Sequence, residues 1–280
     1  MPTPISFLSD FGHADEFVGV VHGVIARIDL EVRVIDVVHN VPRGDIRAGS
    51  LALLRAIQYL PEGVALAVVD PDVGTERQPI AARTKWGYFV GPNNGLLAPA
   101  VAMVGGADLV VALEDPRFRI PAEGATFEGR DVFAPAAAVL ASGQAEIVDL
   151  GPELSQDLLT PVMLPLVEPD RSKAVGEVLW VDGYGNVQTN VTPADLSALG
   201  LALEDDIQVS IGVASHRLPW VTTYSDVEIG SGLIHIDSYG QIALAVRGGR
   251  ADDQYALAAG VAVTLARDRA IPLDVQKPPA

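Results

Sequence analysis

The chain opens with apolar runs that end in polar turns, separated by stretches with apolar residues at helical spacing. ISFLSD (5–10), VRVIDVVH (32–39), VALAVVD (64–70), IAART (80–84), YFVGP (88–92) and LVVAL (109–113) have the composition and length of buried strands. Between them, Glu16–Ile28 places Phe17, Val20, Val21, Val24, Ile25 and Ile28 at helical intervals, and Asp45–Tyr59 does so with Ile46, Leu53, Leu54 and Ile57. Further helices are expected from about Leu96 to Met103 and over Phe133–Ser142. Strands alternating with helices predict an α/β domain, a mostly parallel sheet flanked by helices.

The pattern changes at LLTPVMLPLVEP (158–169), which carries several prolines, has no helical period and reads as a connecting arm. Beyond it come short strands: GEVLWVD, IQVSIG, SHRLPWV, LIHIDS, QIALAV and VAVTLA. Turn residues separate them, and one short helix is expected near Ala194–Leu199. This predicts a small antiparallel β-barrel-like domain. The expected division is an α/β domain over 1–165 and a β-rich domain over 166–280, with IPLDVQKPPA as an extended end.

Composition narrows the function classes. With no cysteine, disulfides, thiolate metal sites and cysteine nucleophiles are excluded, and the five histidines lack HxH or HxxxH spacing, so no metal site is expected. A net charge of −17 disfavours nucleic-acid binding and suits a solvated acidic surface or a cationic small molecule. The apolar runs are too short to cross a bilayer and the N-terminus has no basic leader, so a cytoplasmic protein without membrane attachment is expected. GxGxxG, GxxxxGK[ST] and GxSxG are all missing.

Polar clusters follow the strand ends, where open α/β sheets bind ligands. In SDFGHAD (9–15), Asp10 and Asp15 suit a ribose diol or a helix N-cap. Asp70 and Arg77 flank a Pro–Asp–Val–Gly turn and suit an ion pair, structural or functional, in a loop that also holds Asp72 and Glu76. Asn94, in GPNNGLL, suits a turn or a purine edge. VDGYGNVQTN offers Asp182, Tyr184 and Asn186, which suit either a Gly-rich hairpin or a grip on an ammonium group and a flat heterocycle. TTYSD (222–226), DSYG (237–240) and Arg247 are equally open, His22 and His39 read as packed or capping residues, and His13 is loop-borne. Chemistry alone thus reaches an acidic α/β enzyme or binding protein.

Taken together, SDFG…D, VVDP–VGT–R, GPNNGLL, TF–GRD–FAP and DGYGNVQTN resemble the S-adenosylmethionine (SAM) hydroxide adenosyltransferases, relatives of the fluorinase and chlorinase, in order over about residues 5–250. The resemblance implies hydrolysis of SAM to adenosine and methionine, with SAM as substrate, no cofactor, and a homotrimer whose sites lie at subunit interfaces. It implies Asp10 on the ribose, Asp70 and Arg77 beside the attacking water, and Phe127 and Tyr224 as aromatic walls. Asn186 would read adenine, Asp182 would hold the methionine ammonium, and Ser238 and Arg247 would lie near the methionine and adenine ends. Two positions depart from the family pattern: Glu128 stands where the hydrolytic members usually have His, and Asp72 where they have Gly. Glu128 is expected to take the histidine's place by pairing with Arg77 or sharing a proton with Asp70. A SAM-dependent halogenase and a non-catalytic SAM or adenosine binder are the alternatives.

Overall fold

The computed structural model describes residues 1–155, 157, 159–163, 165–169 and 172–267. The expected C-terminal extended end lies outside the described residues. Two compact units are present, Met1–Met163 and Leu164–Ala280.

The first unit is built around one sheet. Its strands are β1 (Ile5–Ser9), β2 (Val34–Val38), β3 (Gly63–Val68), β4 (Pro79–Thr84), β5 (Gly87–Pro92), β6 (Ala107–Ala112) and β7 (Glu153–Leu154), in the spatial order β2-β1-β3-β5-β4-β6-β7. The β2–β1, β1–β3 and β3–β5 ladders are parallel, while β5–β4, β4–β6 and β6–β7 are antiparallel. The sheet is therefore mixed. Only Lys85 and Trp86 join β4 to β5, and a two-residue link reaches an antiparallel neighbour but never a parallel one.

Helices cover both faces because side chains alternate along buried strands. Val64, Leu66 and Val68 of β3 pack with α1 (Phe17–Ile28) and α4 (Ala134–Ser142). Ala65, Ala67 and Val69 pack with α2 (Ile46–Ile57) and α3 (Ala98–Met103). Asp45 starts α2 by accepting the Ala48 amide at 2.8 Å. The eight residues Ala134–Ala141 of α4 are all buried, so this helix is apolar all round.

In the second unit, β9 (Lys173–Val181), β10 (Val187–Thr189), β11 (Asp206–Ile211), β12 (Ala214–Pro219), β13 (Gly232–Ile236), β14 (Ile242–Val246) and β15 (Ala262–Arg267) form an antiparallel path, β12-β11-β15-β9-β10-β14-β13. The short β8 (Glu168–Pro169) adds to β9. The path nearly closes into a barrel: Val221 N–H donates to Ile234 O at 2.9 Å, beside a Trp220–Ile234 bridge. Its core includes Val178, Val187, Ile207, Val209, Ile234, Leu244 and Leu265. The expected helix near Ala194 is α5 (Pro193–Ala198), started by a Thr192/Asp195 capping box. A second helix, α6 (Ala251–Tyr255), escaped the pattern because five residues are too few to establish a period.

Candidate active site

Adjacent parallel strands β1, β3 and β5 bring their carboxyl ends together, placing Asp10, Asp70 and Asn94 along one edge. Arg77 joins them through the reversal of β4. Pro79 of β4 pairs with Pro92 of β5, so the residues leading into β4 lie at the edge where β5 ends.

Arg77 Nε donates to Asp70 Oδ1 at 3.1 Å and Nη2 donates to Asp70 Oδ2. The same Nη2 donates to Glu128 Oε2 at 2.5 Å. Asp70 and Arg77 keep only 5% and 7% of their side-chain surface, and Glu128 keeps 18%. Burial is the largest influence on Asp70 and raises its pKa; the Arg77 charge and hydrogen bonds oppose it, while Glu128 and Asp72 reinforce it. Arg77 Nη1 is buried without a hydrogen-bond partner, although the guanidinium carbon lies 5.5 Å from the Phe133 ring centroid. The site thus places two carboxylates on one guanidinium whose remaining N–H donors are unused, an arrangement able to take up a small polar oxygen such as that of water.

Glu128 comes to Arg77 on a single π-helical turn, Gly129–Phe133, that leads directly into α4. Such turns recur at functional sites because the widened turn re-aims side chains. Here Gly129 faces Phe11, which a Cβ would approach to 2.8 Å. Phe127 packs edge-on against Phe11 and Phe17, with centroids 5.7 and 5.1 Å away. Asp72 and Glu76 are exposed, so the concentrated acidity of this loop faces water.

Asp10 Oδ2 accepts the Gly44 amide at 2.8 Å. The N-cap of α1 is Glu16, and Asp15 is exposed in the bend before it, so neither Asp10 nor Asp15 is the helix cap. Asn94 donates from Nδ2 to Val69 O at 2.9 Å and accepts the Leu96 amide at 3.2 Å; its amide ties the β5 turn to the end of β3. His39 is buried between Ser9 Oγ at 2.7 Å and Asp36 at 3.0 Å, and His22 also meets Asp36, at 2.8 Å.

The second unit holds a cleft of about 180 Å³ lined by Trp180, Asp182, Asn186, Tyr224, His235 and Ser238, among others. Asp182 organises the loop between β9 and β10. Its Oδ1 accepts the Tyr184 and Asn186 amides at 2.8 and 2.9 Å, and its Oδ2 accepts Asn186 Nδ2 at 2.8 Å. Tyr184 is 82% exposed and is absent from the cleft lining. Arg247 donates from Nη1 to Val227 O at 2.6 Å, which pins the segment carrying Tyr224. Burial, then the charges of Asp182 and Asp237, raise the Tyr224 pKa. Trp180, Gln188, His235 and Tyr239 also line this cleft. Strand patterning hid the first three, since a residue's place on a strand carries no signal of which face meets a ligand.

The family models for the SAM hydroxide adenosyltransferase N-terminal and C-terminal domains match residues 5–151 and 176–264. The chain belongs to this family. Among SAM hydroxide adenosyltransferase relatives, the (R)-S-adenosyl-L-methionine hydrolase of Salinispora tropica is 47% identical over 253 residues, covering 90% of this chain and 94% of that protein. A fluorinase from an Actinoplanes species is more distant, 29% identical with 94% and 97% covered. The crystal structure of an uncharacterized conserved protein from Thermotoga maritima superposes with a TM-score of 0.86 at 33% identity, covering 94% of this chain and all of that one. No group of three or more potential metal ligands occurs among the described residues.

Proposed function

We propose that the protein is an enzyme that hydrolyses S-adenosyl-L-methionine to adenosine and L-methionine. Water attacks the ribose C5′; the new O–C5′ bond forms as the C5′–S bond breaks, and its electron pair goes to sulfur. The sulfonium is already a good leaving group, so the protein's task is to orient and deprotonate water in line with C5′. The unpartnered Nη1 of Arg77, buried beside Asp70, carries this reading: it is a donor without a hydrogen-bond partner, next to a carboxylate able to accept the water's proton. Glu128 holds the guanidinium from the other side and shares its charge. Phe127 walls the ribose region, where Asp10 binds the diol with Asp15 and Asn94 alongside. In the second unit, Asn186, Tyr224 and Arg247 bind adenine and Tyr184 meets it from outside the cleft, while Asp182 and Ser238 bind the amino-acid end.

Domains over 1–165 and 166–280 divide these tasks, and a cytoplasmic homotrimer brings them together at its subunit interfaces. Sedimentation velocity of the purified chain should give a species of three copies. A halogenase is the weaker reading because Asp70 and Glu128 present negative charge where a halide would have to sit. Incubation with SAM in 18O-water should give adenosine labelled at the 5′ oxygen, together with methionine. Chloride-dependent 5′-chloroadenosine would establish the halogenase instead, and saturable SAM binding without product would establish a binding protein.

A further inference from the structure

His235 lies on β13 with 8% of its surface exposed and lines the cleft of the second unit. Its Nδ1 is 3.1 Å from Ile236 O. A carbonyl oxygen only accepts, so Nδ1 carries the proton. Burial, the largest influence, lowers the pKa of the ring and favours its neutral form. Nε2 is then a bare lone pair, and it is buried with no hydrogen-bond partner. A buried acceptor without a donor is costly in the empty protein and is relieved by a ligand N–H.

The two carboxylates of the cleft already accept hydrogen bonds from the protein. Asp182 accepts three hydrogen bonds from its own loop. Asp237 accepts the Tyr239 and Gln241 amides at 2.9 and 3.0 Å and a further bond from Gln188 Nε2. The two carboxylates supply the negative charge that an ammonium would seek. The neutral imidazole suits a neutral donor, which is less costly to desolvate. Tyr224 stands edge-on to His235, with centroids 5.1 Å apart and planes at 60°, so a flat heterocycle that stacks on this tyrosine brings its edge toward the imidazole.

We propose that His235 Nε2 accepts a hydrogen bond from the exocyclic amino group of the bound purine, and so selects a 6-aminopurine nucleoside over a 6-oxopurine. This rests on the reading of the cleft as part of the SAM site, with adenine against Tyr224 and Asn186. A 6-oxo group would set a carbonyl oxygen against the lone pair, leaving two acceptors facing each other.

Calorimetric titration of the full-length protein with adenosine, inosine and methionine tests this. The wild type should bind adenosine about tenfold or more tighter than inosine. His235→Phe should bring that ratio close to one, and His235→Gln, whose Oε1 accepts, should restore part of it. The ratio is insensitive to the fraction of protein that folds. An unchanged ratio in His235→Phe, or no preference in the wild type, overturns the inference. Loss of methionine binding with the nucleoside ratio intact also overturns it, assigning the lone pair to the ammonium. If wild-type protein binds neither nucleosides nor SAM, the reading of the cleft falls with it, a result distinct from these.

Discussion

Arg77 shows how one side chain gathers buried charge. A buried guanidinium flanked by two carboxylates leaves one negative charge in excess, and burial already disfavours the charged form of Asp70. That imbalance is tolerable where it prepares a base: a carboxyl held above its ordinary pKa takes a proton from water more readily. Glu128 contributes to the rise through its charge. Glu128→Gln should therefore lower the Asp70 pKa and move the acid limb of the kcat/KM profile to lower pH; an acid limb that stays in place would separate Glu128 from Asp70. Arg77→Ala removes the donor and leaves two carboxylates facing each other. It should lower kcat by roughly 100-fold or more with a smaller change in KM, as read in steady-state assays with SAM.

Elements set these residues with little freedom. Strands β3 and β5 pack so closely that a Cβ at Gly91 would come within 2.3 Å of Ala67 O, a backbone atom that cannot step aside. Gly91→Ala should cost about 1–3 kcal/mol, seen as a lower urea midpoint, and should also slow turnover because Asn94 and Asp70 follow these two strands. The β4–β5 hairpin matters equally. Alternating strands and helices suggest a mostly parallel sheet, whereas the Lys85–Trp86 link forces β4 to reverse, and the reversal delivers Arg77 to the edge that holds Asp70. The π-helical turn before α4 does the same for Glu128.

Across the whole molecule, acidity and buried histidines shape the response to pH. Burial is the largest influence on His39 and lowers its pKa below the ordinary 6.5, against the opposing contacts with Asp36. A histidine whose folded-state pKa is depressed contributes stability that is complete above the unfolded value and is lost as pH falls through the folded one. The thermal midpoint of the wild type should fall between about pH 7 and about pH 5, and His39→Gln should flatten that fall; equal slopes would place the acid sensitivity elsewhere. Strand and helix periods, the loss of helical pattern after about residue 158 and the short strands beyond it made the fold class legible, because those signals are local to each segment. The polar loops at strand ends were legible for the same reason, and the ordered set of motifs pointed to the family. The sequence could not tell that Asn94 ties its turn to the end of β3, that Tyr184 faces solvent, or that His235 keeps an unpaired lone pair. The pairing of Glu128 with Arg77, 51 positions apart, was expected only through the family resemblance and not from any local pattern. Those facts depend on which segments meet in space and which face of a strand is covered. The pairing of strands decides this, and a one-dimensional pattern does not contain it.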